Sequence, residues 1–276
     1  MQIIHNLQAL RAWRAQHNDV AFVPTMGNLH AGHLALVAKA QQQASHVVVS
    51  IFVNPLQFGI DEDYARYPRT LTQDAELLQN MGVDIVFAPS VDDLFPTPQT
   101  YHIEPPAIAS ELCGAFRPGH FCGVATIVMK LFNIVQPRIA VFGKKDYQQL
   151  TIIRGMVAEF SMPVAIVAGD TIRAQDDLAL SSRNGFLSEH ERQVAPQLYA
   201  KLMSIREHIL AGALDYVQLE QNTTHELLVQ GWRVDYVAIR DANLAIPTQD
   251  SEQLVILIAA RLGNTRLIDN IEFERR

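Results

Sequence analysis

The chain has 276 residues, 49% apolar and 18% charged, with 22 Lys/Arg against 29 Asp/Glu for a net charge of −7. That length buries a real core without disulfide or metal staples, and the composition excludes a disordered chain. Its acidity argues against general nucleic-acid binding, which needs a basic surface, but leaves room for a local basic pocket that takes a small polyanion.

Met1–His5 lacks a basic segment followed by an apolar core, so no signal peptide is read there. No apolar run approaches the roughly 18–20 residues that cross a bilayer, so a cytoplasmic chain without a membrane partner is expected. Val20–Pro24 and Val47–Val53 read as buried strands, as do Asp84–Ala88, Arg138–Phe142 and Val164–Ala168. Helical patterns fall between them at Ala31–Ala44, Leu71–Met81, Gly123–Val135 and Tyr147–Phe160. This alternation predicts an α/β domain, a Rossmann-like parallel sheet with helices on both faces and ligands at the carboxyl ends of the strands. Cys113 and Cys122 are the two cysteines, too few for a disulfide framework or a cysteine-based metal site.

The style changes after Ala174. Ser188 with Glu191 has capping-box spacing, and Pro196 should divide the helix that follows before it resumes to Leu210. A helix at Tyr216–Gln230 and strands at Arg233–Arg240, Gln253–Ala260 and Arg266–Asn270 complete a smaller α+β domain. The expected division is residues 1–175 and 176–276. Within the acidic chain, Gly114–Arg154 carries Arg117, Lys130, Arg138, Lys144, Lys145 and Arg154 against Asp146 alone, a net of 6 − 1 = +5. It is a candidate anion site, although several of these can be ordinary surface charges.

Four blocks could carry chemistry. Met26-Gly27-Asn28-Leu29-His30-Ala31-Gly32-His33 follows the first predicted strand and opens a helix. Gly27 permits a tight turn, the helix start offers N–H groups to phosphate, and His30 and His33 share a face and can donate to developing charge. A metal-binding histidine pair is the weaker reading, and structural histidines are the bland one. Ser50–Gly59 ends the next strand, and Asn54 and Gln57 bring amides suited to hydroxyl and carboxylate groups. In Gly143-Lys144-Lys145-Asp146, Lys145 could neutralise phosphate and Asp146 could meet a ribose hydroxyl or a metal ion. It is not a P-loop, because Arg138 stands where a glycine is required, and no G-x-G-x-x-G occurs. Leu180-Ser181-Ser182-Arg183, near the expected domain junction, combines two hydroxyls and a guanidinium into a phosphate clamp, with a polar linker as the alternative.

Together these blocks resemble the pantoate–β-alanine ligases, an HxGH-bearing branch of the nucleotidyltransferases. The likeness runs through Pro24–His33, Ser50–Gly59, Ala65–Leu71, Arg117–Pro137, Phe142–Leu150, Leu178–Ser188 and Leu267–Asn270. It implies ATP-dependent joining of pantoate to β-alanine through an acyl adenylate, with Mg²⁺ held mainly on the ATP phosphates rather than by the protein, and a homodimer. By the same match, Met26–His33, Gly143–Asp146, Ile172 and Leu180–Arg183 meet ATP, while Gln57, Gln149 and Asn54 meet pantoate or β-alanine. His33, His30, Lys145, Ser181, Ser182 and Arg183 would stabilise the reacting phosphates. Three positions depart from the family's habit: Asp177 where Gly is common, Cys122 where a charged residue is common, and Ala31 in place of a frequent acid. Asp177 puts the backbone of its loop in question. The competing readings are a nucleotidyltransferase with a stable nucleotide-linked product and a non-catalytic nucleotide sensor.

Overall fold

The computed structural model describes residues 1–60 and 62–275. Within these the chain forms two compact units, one of Met1–Lys144 with Ile152–Asp170, the other of Lys145–Thr151 with the chain from Thr171 onward.

The first unit is built on β1 (Gln2–Ile4), β2 (Val20–Thr25), β3 (His46–Ile51), β4 (Ile85–Phe87), β5 (Ile139–Gly143) and β6 (Ala165–Gly169). All pairings are parallel, in the order β1-β4-β3-β2-β5-β6. Its helices are α1 (Leu7–Arg14), α2 (Ala31–Gln41), α3 (Leu71–Asn80), α4 (Val91–Leu94), α5 (Cys113–Phe116) and α6 (His120–Val135), and it takes most of α7 (Tyr147–Glu159). Val20, Ala21, Phe22, Val23, Val48 and Val49 are sealed from solvent, as continuous β-branched runs between two helical layers should be. The α/β reading of this part of the sequence is borne out.

Boundaries shifted where local hydrogen bonds overrode periodicity. β3 stops at Ile51, short of the expected Val53, because Asn54 Oδ1 accepts the Leu56 N–H and caps a 3₁₀ turn at Pro55–Gln57. α6 begins at His120 rather than Gly123, after Gly119 takes a left-handed φ of 79°. The short edge strand β1 and helix α1 lie outside the elements expected from the sequence. Asn6 starts α1 by accepting the Ala9 N–H at 2.8 Å. Trp13 on α1 is half-buried and stacks on His17, with ring centroids 4.2 Å apart.

The second unit contains α8 (Glu189–Val194), α9 (Gln197–Leu210) and α10 (Tyr216–Val229) packed on an antiparallel sheet of β7 (Arg233–Asp241), β8 (Gln253–Leu262) and β9 (Thr265–Glu274). Ser188 and Glu191 form the anticipated capping box, and Pro196 separates α8 from α9. Leu198, Leu202, Ile205, Leu227, Ile256, Ile258 and Trp232 form its core, and Trp232 Nε1 donates to Gln197 Oε1 at 3.1 Å. Lys145–Thr151, which sequence reasoning kept with the first domain, groups here. The Asn270 amide donates to the Lys145 carbonyl at 2.8 Å, and the Tyr147 hydroxyl donates to the Ala242 carbonyl at 3.0 Å. Among the described residues, no helix is long and apolar enough to cross a membrane.

Candidate active site

The sheet order reverses between β2 and β5. From β2 it runs outward through β3 and β4, and from β5 through β6 to the opposite edge. In such sheets the crevice beyond the carboxyl ends of the two diverging strands is where ligands bind. Two of the four sequence blocks leave the sheet there: Met26–His33 follows β2, and Lys144 follows Gly143 at the end of β5.

Gly27 turns the chain at φ 80°, as its sequence position suggested, and Asn28 follows at φ 52°. Asp74 fixes this turn. Its carboxylate, on α3 and 1% exposed, accepts the Asn28 N–H at 2.9 Å and the Leu29 N–H at 2.8 Å, with the Thr70 hydroxyl at 3.1 Å. The loop therefore carries an internal anion. Sequence reasoning assigned the amides here to phosphate, but those of Asn28 and Leu29 are already engaged by Asp74.

The histidines are engaged with one another. His30 is the N-cap of α2, and its Nδ1 accepts the Gly32 N–H at 3.1 Å; His33 Nδ1 accepts the His30 N–H at 3.3 Å. Their rings lie 4.1 Å apart. Each bond requires a deprotonated Nδ1, so the neutral ring carries its proton on Nε2. This reciprocal cap fixes both imidazoles as Nε2 donors, the role that charge building on a phosphate needs. It also engages the Gly32 amide, so the helix start contributes through its dipole and its histidines more than through free N–H groups.

Asn54 and Gln57 come together beside this loop. Asn54 is 1% exposed, and its amide donates to Gln57 Oε1 at 3.0 Å and to the Gly123 carbonyl at 3.2 Å. Gln57 Nε2 donates to Met26 Sδ at 3.3 Å, which joins the second block to the first. Asn54 thus organises the turn rather than presenting a free amide. Gly123 on α6 is required by this approach: a Cβ there would lie 2.1 Å from the Leu56 carbonyl oxygen and 2.7 Å from Gln57 N. The Gln57 carbonyl is held from the other side. His120 Nδ1 donates to it at 2.8 Å, Arg117 donates to His120 Nε2 at 3.0 Å, and Arg117 pairs with Glu62 at 2.6 Å. Arg117, which sequence reasoning counted only as part of a basic window, is neutralised by this pairing.

At the end of β5, Lys144 pairs with Asp170 at 3.0 Å and holds that carboxyl below the usual carboxylate range. Gly143 needs no glycine for space, since an added Cβ would meet only Leu36 at an ordinary 3.8 Å. Its φ lies outside the left-handed region, so the backbone there does not call on a glycine's freedom either.

The second unit holds the other predicted residues. Lys145 and Asp146 complete a 3₁₀ turn with Lys144, and Gln149 lies in the first turns of α7. Ile172 and Leu180 face each other across a hairpin, with the Leu180 N–H donating to the Ile172 carbonyl at 2.9 Å. Ser181 Oγ accepts the Arg183 N–H and caps a 3₁₀ turn at Ser182–Phe186. Asp177 sits at the hairpin tip with φ 68°, so it adopts the left-handed conformation that a glycine would take.

Asp74, Gly123, Glu62 and His120 were missed as site-building residues. Apart from the Arg117–His120 and Thr70–Asp74 contacts, their partners are groups 45 or more residues away along the chain. Among the described residues, no cluster of three or more His, Cys, Asp or Glu side chains could hold a metal ion.

Comparison with known proteins places these observations in a family. The family model for pantoate-beta-alanine ligase matches residues 2–272. The pantothenate synthetase of Neisseria meningitidis serogroup A is 56% identical over 276 residues, covering 99% of each chain. That of Chromobacterium violaceum is 57% identical over 277 residues, covering 100% of each. Among solved structures, the chain is similar to the pantothenate synthetase of Thermus thermophilus, with a TM-score of 0.92, 44% identity and coverage of 98% of this chain and 99% of that one. It is also similar to the Francisella tularensis pantoate-beta-alanine ligase complexed with beta-gamma ATP and beta-alanine, with a TM-score of 0.83, 35% identity and coverage of 98% and 97%.

Proposed function

The chain belongs to the pantoate–β-alanine ligase family, and from that premise we infer that it is an AMP-forming ligase joining pantoate to β-alanine. ATP converts pantoate to pantoyl adenylate with release of pyrophosphate, and β-alanine then displaces AMP to give pantothenate. The observation that carries this reading is the pair of segments leaving β2 and β5 at the reversal of the sheet, one with two fixed imidazole donors and the other with lysines.

The chemistry assigns the tasks. A carboxylate resists attack by an amine, so it must first be activated. The pantoate carboxylate is itself the nucleophile at the α-phosphate, and no protein base is needed for that step. The site must orient the reactants and stabilise charge on the α-phosphate and the leaving pyrophosphate. His30 and His33 donate from Nε2, Lys145 and Arg183 supply positive charge, and Ser181 and Ser182 supply hydroxyls. Met26–His33, Gly143–Asp146, Ile172 and Leu180–Arg183 bind ATP. Gln57, Gln149 and Asn54 form the pantoate and β-alanine side, with Asn54 acting through Gln57. Mg²⁺ would be carried on the triphosphate and would lower its charge there, since Mg²⁺ is commonly bound through substrate phosphates. A cytoplasmic homodimer is the assembly we propose.

The test is incubation with ATP, Mg²⁺, pantoate and β-alanine, following pyrophosphate, AMP and pantothenate. Pyrophosphate release should need pantoate, and AMP release should need β-alanine. AMP retained on a stable product would favour a nucleotidyltransferase, and the absence of every product would defeat the reading.

A further inference from the structure

Two buried polar residues stand together on β9, the edge strand beside β8, at positions where apolar side chains would pack without penalty. Asp269 is 4% exposed and Asn270 6% exposed. Burying such groups is costly unless their hydrogen bonds are made. Successive side chains of a strand point to opposite faces, and these two reach different site segments. The Asn270 amide donates to the Lys145 carbonyl at 2.8 Å. Asp269 takes a bidentate pair from Arg173 at 2.6 and 2.9 Å. Arg173 also donates to the Asp177 carbonyl at 3.0 Å, and its guanidinium lies 3.8 Å above the Tyr199 ring. Arg173 itself pairs with Ala179 in the hairpin that leads into Leu180–Arg183.

We propose that Asp269 and Asn270 are positioning residues for adenylation: Asn270 sets the peptide plane that aims Lys145, and Asp269, through Arg173, holds the hairpin that carries Ser181–Arg183. The Lys145 carbonyl lies inside the 3₁₀ turn Lys144–Asp146, so holding it fixes the directions of the Lys145 and Asp146 side chains. One strand thereby sets two phosphate-facing segments against each other, a task that catalysis by orientation requires. A buried Leu–Val pair would fill the same space without holding either segment. The proposal rests on the reading that Lys145 meets ATP.

The experiment compares pyrophosphate release, with ATP and pantoate varied, for Lys145→Ala, Asn270→Ala and the double variant. Lys145→Ala should lower kcat/KM for ATP about 100-fold. Asn270→Ala should lower it about 5- to 10-fold, the value of one hydrogen bond. The double variant should be no worse than Lys145→Ala alone, because the amide acts through the lysine. Where alanine lowers the folded yield, Asn270→Asp keeps the shape but presents no amide to the carbonyl, and it should show the same non-additivity. KM for β-alanine should stay unchanged in the single Asn270 variants. Losses that multiply in the double variant, an equal rise in the β-alanine KM, or full activity in Asn270→Ala would each overturn the proposal. Normal release from Lys145→Ala would instead remove the reading on which it rests.

Discussion

Asp74→Asn is the sharpest perturbation of the first unit. The carboxylate accepts two backbone N–H groups at 2.9 and 2.8 Å from a position 1% exposed. The amide keeps one oxygen for one donor, and its NH₂ faces the other. Losing a charge-assisted bond and leaving a buried N–H without an acceptor costs about 2–4 kcal/mol. At roughly 2–4 °C per kcal/mol for a chain of this size, the midpoint of thermal unfolding should fall by about 4–16 °C. Thermal melting and urea titration should both register the loss. Activity should fall as well, because the loop held by Asp74 leads directly into the His30–His33 cap, and the adenylation rate should drop more than the second step. A variant that melts within about 1 °C of the parent and releases pyrophosphate normally would refute the argument that Asp74 anchors this loop.

Gly123→Ala pushes a methyl group into the Leu56–Gln57 backbone, at a cost of about 1–3 kcal/mol. Steady-state kinetics should show raised KM values for pantoate and β-alanine with little change for ATP, and unaltered values would count against it. Lys144→Ala removes a pair whose acidic partner is 76% exposed, so unfolding should shift by less than about 1 kcal/mol. Asp170 is depressed from its ordinary 3.8 by Lys144, so any stability from the pair is present above that value and fades as pH falls through the lower folded pKa. Parent and variant melting curves should therefore converge in acid and keep a constant separation near neutrality. Asp177→Gly relieves a non-glycine residue at φ 68°. Against a looser unfolded chain, the net gain should be about 0.5 kcal/mol, and calorimetry showing a lower midpoint would contradict it.

What the sequence made legible followed from patterns with local causes. Val20–Pro24 and Arg138–Phe142 announced buried strands because both faces of a parallel sheet are covered, which leaves an uninterrupted apolar run. Ser188 with Glu191 and Pro196 marked helix ends through hydrogen bonds and sterics that act within a few residues. Gly27 was readable because a turn between a strand and a helix needs its conformation. The role of Asp74 was not, since its partners are amides 45 and 46 residues away; the available signal was its place with Ala75 and Leu78 on the buried face of α3. Asn54 was legible as a polar residue at a strand end, but not as one whose amide is satisfied by Gln57 and Gly123. The +5 window was real as a sum yet misleading residue by residue, because Arg117 and Lys144 each meet a carboxylate outside it.

The two tryptophans fall one to each unit. Trp13 is half-buried against His17, and Trp232 is sealed in the second core at 1% exposure. Each half of the molecule thus carries its own fluorescent label. With either tryptophan replaced by Phe, the emission that remains follows a single unit through denaturation. A ligand stabilises what it binds by RT ln(1 + [L]/Kd). Titrating ATP against each signal would weigh separately how much of its binding energy each half receives, using no dye and no foreign probe.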